Sequence, residues 1–339
     1  MSPPRTAYLL GHQNRLGNQL WNLIAICAYC AERGYVLQDC AALDYHSQLG
    51  PPGPSWLVEA FLHACDTLAP VLQSPVLTRT RLGGQVRWRS TELLRAVAPR
   101  LVTPPLGAPL LTAAGVFYLP PSECTDPAQR ALLEEADRLG SVRLRGWLFR
   151  NPVGIRTHRA AVLAHVAPRA PTAARVAAFV ERSRARHARL VGVHLRQGDY
   201  KTWLGGKLHV SPQQARPSLD ELLRRRGWRA DETLFVVCSD EPVDLGVFEG
   251  LAVVRGPGSA VEDLFALAAC DALVGSNSTF AGFAAYYGDV PLILLERGGV
   301  SWDHYAGRTG YFEDENFVIN RLAGSREGPG GDGSFFREG

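Results

Sequence analysis

Residues 190–200, Leu-Val-Gly-Val-His-Leu-Arg-Gln-Gly-Asp-Tyr, join a run of apolar side chains to a charged turn. A short apolar run of this kind is typical of a strand buried inside an α/β sheet. Open α/β sheets bind their ligands at the carboxyl ends of the strands, which is where Arg196 and Asp199 lie in this stretch. The planar guanidinium of Arg196 presents N–H donors suited to phosphate. An ordinary polar loop after a strand is the alternative, and the stretch alone does not separate the two interpretations.

Strands and helices alternate along the C-terminal half, which predicts an α/β fold with a parallel, doubly wound sheet. Besides 190–195, the apolar runs 233–238, 251–254, 272–274 and 291–295 predict strands. Helices are predicted at 172–187, from a Ser-x-x-Glu capping box at 218–221 to residue 227, from a second such box at 259–262 to about residue 269, and from 275–279 to residue 288.

The N-terminal half opens with another strand, loop and helix. A strand at 8–10 leads through a loop with glycines into a long apolar helix that ends near Arg33. Gly17, Asn18 and Gln19 lie next to the helix N-terminus, where amide groups suit sugar hydroxyls. A Rossmann-like turn with glycines placed for packing explains this loop equally well.

Composition shifts divide the chain. Prolines and turn residues interrupt residues 36–150, and a linker-like stretch follows. We therefore expect an N-terminal domain of residues 1–160 and a C-terminal domain of residues 161–322. Residues 323–339 are rich in glycine and are expected to form a flexible tail.

The composition is that of a soluble protein, because 46% of the 339 residues are hydrophobic and 20% are charged. The net charge of +3 is too small to indicate nucleic acid or an anionic membrane as a partner. No apolar run approaches the ~20 residues that span a bilayer, and the first residues lack a signal-peptide pattern. We therefore expect a cytoplasmic protein without a membrane span, although a chain trimmed of its anchor would look the same.

The cysteines show no disulfide-scaffold spacing. Cys27 and Cys30 form a C-x-x-C motif with Cys40 and His46 downstream, so a zinc site is conceivable. The motif lies in an apolar helical segment, however, where free cysteine is a common core residue, and we favour buried thiols. No Asp-x-Asp and no His/Asp/Glu cluster with metal-ligand spacing occurs in the sequence, so no metal site is expected.

Polar turns at 196–200, 239–241 and 276–279 each follow a predicted strand of the C-terminal sheet. Because parallel strands end at a common edge, the three turns are expected to meet. The last turn opens a helix, and free N–H groups at a helix N-terminus bind phosphate. Together with Arg196 it could hold a pyrophosphate without a metal. Taken singly, each turn is also explained as helix N-capping or as a solvated loop.

Three blocks of the sequence together resemble the signature motifs of the α-1,2-fucosyltransferases and, more distantly, α-1,6- and protein O-fucosyltransferases. They are Gly11-x-x-x-Arg-Leu-Gly-Asn-Gln19, His194-x-Arg-x-Gly-Asp-Tyr200, and Glu262-Asp-Leu264 followed by Ser276-Asn-Ser-Thr-Phe280. The resemblance implies a GT-B fold, in which two Rossmann-like domains have parallel sheets that face across a cleft. The N-terminal domain would lie on the acceptor side, and the C-terminal domain would bind the GDP-sugar. It also implies inverting, metal-independent galactoside 2-α-L-fucosyltransferase chemistry with GDP-fucose as donor, a glycan as acceptor and no cofactor.

The same resemblance implies roles for individual residues. Arg196 corresponds to the arginine that holds the donor's β-phosphate, His194 to a histidine beside the nucleoside, and Asp263 to an acidic residue that recognises guanine. The other expected site residues are Asp240, Asn277, Ser278 and Thr279 for the donor, Asp199 for catalysis, and Gly17, Asn18, Gln19 and Lys207 for the sugar and acceptor cleft.

One position departs from the family pattern, because many relatives have a second arginine where this chain has Gln197. This departure is expected to weaken the electrostatics of donor binding. Lysine occurs in the chain only as Lys201 and Lys207, both just after the motif, and either could supply the missing charge.

The residues leave the general base and the exact function open. We favour Asp199 as the base, with Glu241 and Asp44 as other candidates, and Asp199 could equally serve to orient Arg196. The expected reaction is fucose transfer to a glycan hydroxyl, with the galactoside 2-hydroxyl as first candidate. The alternatives are a related GDP-sugar transferase with another sugar or acceptor, and a sugar-nucleotide-binding protein that has lost turnover.

Overall fold

The computed structural model describes residues 5–10, 15–40, 45, 48–50, 116–119, 134, 141–146, 151–305 and 307–311. The chain divides into two compact units between Arg169 and Ala170. The sequence placed this division at residue 160. Gly11, Asp44, His46, most of 51–150 and the glycine-rich tail lie outside the described residues, so the expectations for them stay predictions.

The first unit contains a parallel sheet with the strand order β2-β1-β4-β3 among the described residues. Its long helix α1 packs against two short helices, α2 and α3, and residues 19–30 of α1 are all buried. This burial follows from the apolar sequence of the segment. The elements are β1 (Arg5–Leu10), α1 (Leu16–Arg33), β2 (Tyr35–Cys40), β3 (Val116–Leu119), β4 (Ser141–Gly146), α2 (Pro152–Thr157) and α3 (Arg159–His165).

The thiols of the C-x-x-C motif lie on α1, where Cys27 and Cys30 are both buried and not joined in a disulfide. Burial raises the pKa of the Cys30 thiol, with a further contribution from Cys27. Such thiols are poor nucleophiles and poor metal ligands, because both functions need the thiolate. Among the described residues, no group of three His, Cys, Asp or Glu side chains is placed to hold a metal ion.

The second unit is a parallel sheet with helices on its faces, as the alternating pattern predicts. Its strand order is β7-β6-β5-β8-β9, which is the Rossmann arrangement. The order first grows outward from β5 on one side through β6 and β7, and then continues on the other side of β5 with β8 and β9. The elements are α4 (Ala170–Arg184), β5 (Arg189–Leu195), α5 (Pro212–Arg226), β6 (Thr233–Ser239), β7 (Ala252–Arg255), α6 (Ala260–Ala268), β8 (Ala272–Ser276), α7 (Thr279–Gly288) and β9 (Leu292–Leu295).

The central strand β5 is buried along residues 190–195, which explains why its sequence is apolar apart from His194. Its register places Leu195 opposite Ser239 of β6 and His194 opposite Gly275 of β8. The three polar turns after these strands therefore leave the sheet at the same edge. The edge between β5 and β8 is the topological switch point, where doubly wound sheets bind ligands.

One predicted helix start is wrong. Helix α5 begins at Pro212, and its N-cap is Ser211, whose side chain accepts from the backbone N–H of Gln214 while the Gln214 side chain accepts from the Ser211 N–H. Ser218, the expected cap, is buried inside the helix. Two similar Ser-containing patterns follow one another here, and the helix starts at the first because Pro212 is pre-organised for the first helical position.

No helix among the described residues is long and apolar enough to cross a membrane.

Candidate functional site

The ends of β5 and β8 are joined directly at the switch point. The backbone N–H of Arg196 donates a hydrogen bond of 3.0 Å to the hydroxyl of Ser276. Ser276 is buried, so this bond forms away from competing water. It fixes the position at which the chain after β5 leaves the sheet.

The guanidinium of Arg196 is held by two carboxylates. Its Nε and Nη2 atoms donate to the two oxygens of Asp199 at 2.8 and 3.1 Å, and Nε lies 3.2 Å from Oδ2 of Asp240. The side chains of Arg196 and Asp240 are 15% and 18% exposed, whereas that of Asp199 is 47% exposed. The sequence predicts that Arg196 and the turn at 276–279 meet at one edge of the sheet and could hold a pyrophosphate together. In the structure the backbone N–H of Arg196 contacts Ser276 of that turn, and its guanidinium contacts Asp199 and Asp240.

Asp240 also organises the turn that carries Arg196. Its Oδ1 accepts hydrogen bonds from the backbone N–H groups of Gln197 at 2.7 Å and Gly198 at 3.3 Å. A Cβ at Gly198 would lie only 2.9 Å from Oδ2 of Asp240, so a side chain there would push the carboxylate away. This close approach explains the glycine. Asp240, predicted as a donor-binding residue, thus has a clear structural role in the turn.

His194 lies at the end of β5 and is 5% exposed. Its ring stacks on Phe280 with the centroids 4.9 Å apart, and its Nδ1 lies 3.3 Å from the hydroxyl of Ser278. The pKa of His194 is lowered to about 4, chiefly by burial and also by the positive charge of Arg196, while Asp240 acts in the opposite direction. The imidazole is therefore neutral at neutral pH. Phe280 lies in the third sequence block, but nothing in its spacing identifies it as the stacking partner.

Helix α7 points its N-terminus toward the same edge. Ser278 is its N-cap, since its hydroxyl accepts from the N–H of Ala281 at 3.2 Å. The capping interpretation of this turn is therefore confirmed for Ser278, and its hydroxyl also contacts His194. Thr279, the first residue of α7, is partly exposed, as is Asn277, whose carbonyl accepts from the Tyr200 hydroxyl at 2.7 Å. The first turn of α7 offers N–H groups and a positive dipole end at this point.

A pocket of about 450 Å³ lies beyond β6, between the ends of β6 and β7. Its lining includes Asp240 and Glu241 at the β6 end, Gly256 after β7, and Asp263 on α6. Oδ1 of Asp263 accepts from the N–H of Gly258 at 2.8 Å. Burial raises the pKa of Asp263, and the neighbouring Glu262 adds to the effect while the Gly258 hydrogen bond opposes it. The pocket therefore contains a desolvated carboxyl group, and Asp240 both lines the pocket and contacts Arg196.

Lys201 and Lys207, the two lysines that could supply the missing charge, both lie in the loop after β5. Lys201 forms an ion pair of 2.5 Å with Glu241, and both side chains are substantially exposed. Lys207 is exposed on the same loop. Gln197, which stands where many relatives have a second arginine, is buried. Of the candidate bases, Asp199 is therefore paired with Arg196 and Glu241 with Lys201.

The predicted sugar-contacting residues of the first unit lie in the first turn of α1, one turn further into the helix than the sequence suggested. Gly17 and Gln19 are buried, and Asn18 is partly exposed. The N-cap of the helix is Arg15.

No protein-family model and no curated protein matches the sequence. Similar solved structures are an arginine-to-lysine mutant of Arabidopsis thaliana FUT1 in complex with GDP, POFUT1 in complex with GDP, and NodZ α-1,6-fucosyltransferase soaked with GDP-fucose. For FUT1 the TM-score is 0.51 at 12% identity, over 86% of this chain and 71% of that one. For POFUT1 the values are 0.46, 13%, 86% and 98%, and for NodZ 0.48, 14%, 88% and 97%. The similarity to FUT1 shows that this chain shares the α/β fold of that structure.

Proposed function

We propose that the protein is an inverting glycosyltransferase that transfers fucose from GDP-fucose to a glycan hydroxyl without a metal ion. The observation that carries the proposal is the position of Arg196. It stands at the switch point of a parallel sheet, between the pocket that contains Asp263 and the N-terminus of α7. The shared fold with a GDP-bound fucosyltransferase structure and the three sequence blocks support it.

The pocket beyond β6 suits a guanine base. Guanine carries two neighbouring N–H donors on one edge, and the carboxylate of Asp263 offers matching acceptors. Adenine has an acceptor nitrogen where guanine has its ring N–H donor, so the same carboxylate would repel adenine. We assign Asp263 to recognition of guanine, and neutral His194 to the region between the base and the diphosphate.

The diphosphate is assigned to Arg196 and the N-terminus of α7. A phosphate oxygen that takes the place of Asp199 on Arg196 would receive two charge-assisted hydrogen bonds from the guanidinium fork. Asp240 would stay in place because it is tied to two backbone N–H groups. The N–H groups at Thr279 then provide a second site of positive potential for the phosphate.

The reaction follows from this arrangement. The acceptor oxygen attacks the anomeric carbon of fucose while the bond from that carbon to the β-phosphate oxygen breaks, and GDP leaves with the bonding electrons. Arg196 and the N-terminus of α7 stabilise the charge that develops on the diphosphate. Each preorganised donor of this kind contributes a factor of roughly 10²–10³ to the rate. Asp199, released from Arg196 by the donor, takes the proton of the acceptor hydroxyl. The galactoside 2-hydroxyl is the acceptor that the sequence resemblance favours.

The test is incubation of the protein with GDP-fucose and a β-galactoside in the presence of EDTA, with GDP and fucosylated product both quantified. Formation of an α-1,2-linked product that depends on the acceptor supports the proposal. Transfer only from GDP-mannose, or only to a protein hydroxyl, would reassign the substrate. Binding of GDP without release of GDP from GDP-fucose would indicate a sugar-nucleotide-binding protein without turnover.

A further inference from the structure

The loop that follows β5 is built from tight turns. Residues 204–206 all have positive φ, with values of 52° for Leu204, 64° for Gly205 and 74° for Gly206. A Cβ at Gly206 would lie 2.9 Å from the carbonyl oxygen of Lys201, so the two sides of the loop touch. A leucine in the left-handed region is strained, and such strain persists only where the surroundings fix the backbone. The loop therefore needs an anchor at its base.

Gln197 supplies contacts at that base. Its side chain is 6% exposed, and its Nε2 donates to the carbonyl oxygen of Val210 at 2.9 Å. Its Oε1 lies 3.0 Å from Nε2 of His209. The first residue of the loop is thus joined by its own side chain to the last two. Since Val210 is also buried, the bond to its carbonyl is protected from water.

The same contacts exclude a direct role of the Gln197 side chain at a diphosphate. To reach an anion it would have to release the buried carbonyl of Val210, and a buried carbonyl without a donor is costly. The backbone N–H of Gln197 is occupied as well, because it donates to Asp240. A glutamine at this position therefore carries no positive charge at the sheet edge, but its side chain anchors the end of the loop.

We propose that Gln197 is a positioning residue, which closes the loop of residues 197–210 through Val210 and His209 and thereby fixes the backbone that carries Arg196 at the sheet edge. The part that concerns donor binding rests on the proposed function; the closure of the loop does not. The proposal is specific to the position where the second arginine of many fucosyltransferases is absent from this chain.

The placement of lysine in this chain allows a direct test. Lysine occurs only at 201 and 207, both inside the loop, so an endoprotease that cleaves after lysine attacks the native chain nowhere else. We expect Gln197→Met, which keeps the length of the side chain and removes both hydrogen bonds, to be cut about tenfold faster than the wild type under native conditions. The matched control is Gln213→Met on the exposed face of α5, which should be cut at the wild-type rate. Equal cutting rates for the two variants would overturn the proposal.

His209→Ala provides a second route if the first variant folds poorly, because His209 is only partly buried. It should raise the cutting rate by itself and reduce the additional effect of Gln197→Met, since both substitutions break the same link. Additive effects of the two substitutions would contradict a shared anchor.

Affinity for GDP separates positioning from general stability. Gln197→Met should weaken GDP binding several-fold relative to Gln213→Met when both variants are measured under conditions in which their urea unfolding curves show them to be fully folded. Unchanged GDP affinity in a variant with an opened loop would show that the loop does not position the donor site. If the wild type does not bind GDP at all, the proposed function fails, whereas the cutting rates still decide whether Gln197 closes the loop.

Discussion

Asp199 binds Arg196 through two parallel hydrogen bonds of 2.8 and 3.1 Å, but it is far more exposed than the arginine it neutralises. Asp240, the second carboxylate on Arg196, is fixed by backbone N–H groups. The two carboxylates are therefore not equivalent. An incoming phosphate can displace Asp199 at a modest cost, because exposed ion pairs contribute only about 0–1 kcal/mol.

Asp199→Asn should have opposite effects on binding and on turnover. Removal of the competing charge should strengthen GDP binding by roughly two- to fivefold, in line with the energy of an exposed ion pair. The rate of fucose transfer should fall, because the amide cannot accept the acceptor's proton. Isothermal titration with GDP and initial-rate measurements check the two effects. Asp231→Asn, which alters an exposed aspartate paired with Arg229, is the control and should change neither quantity.

Arg196→Lys should remove most of the turnover, by roughly 10²-fold or more, because an ammonium cannot form the bidentate fork. The measurement is kcat with GDP-fucose and a galactoside. Arg229→Lys, at an exposed arginine outside the candidate site, should behave like the wild type. Near-native rates for Arg196→Lys would exclude Arg196 from the phosphate role.

Asp263 should make GDP binding depend on pH in the acidic range. Burial raises the pKa of this carboxyl, so it becomes protonated at a higher pH than an ordinary aspartate. A protonated Asp263 has lost one acceptor for guanine, and GDP affinity should therefore fall as the pH is lowered through its raised pKa. Titrations of the wild type and of Asp263→Asn across this range check the prediction. The variant should bind GDP weakly with no such dependence, and an identical pH profile for the two proteins would be inconsistent with guanine recognition by Asp263.

His194 should make the protein less stable in mild acid. Its pKa in the native state is lowered to about 4 from an ordinary 6.5, so the unfolded chain binds this proton at a higher pH than the native protein does. The free energy of unfolding should therefore decrease as the pH falls from 6.5 toward 4, by about 3 kcal/mol for this group. Urea unfolding of the wild type and of His194→Asn measures it. The difference in stability between the two should shrink across this range, and a constant difference would mean that His194 titrates normally.

The strands of the second unit and their shared edge could be predicted from the sequence because both depend on short-range patterns. Uninterrupted apolar runs identify buried parallel strands, and parallel strands end together. The helices that begin at Ala260 and Thr279 were found through their capping residues, and Ser259 and Ser278 do cap them.

The features of the site that the sequence does not predict are contacts between different segments of the chain. The direction of the Gln197 side chain depends on Val210 and His209, which close a loop in which the Gly205-Gly206 pair predicts a turn but not which side chain faces inward. The pairing of Arg196 with Asp240 depends on strand β6 lying next to β5. The spacing of the two residues in the sequence does not predict this ion pair. Composition and periodicity describe what each segment does by itself, whereas these contacts are decided by which segments become neighbours.

The central claim is that one edge of the sheet of the second unit binds guanosine diphosphate. A crystal structure of the protein with GDP tests this claim most directly. We predict that the diphosphate lies within hydrogen-bond distance of Arg196 and of the backbone N–H of Thr279, that the base contacts Asp263, and that Asp199 has left Arg196. GDP bound elsewhere, or at this edge with the Arg196–Asp199 pair intact and the pocket at Asp263 vacant, would contradict the account.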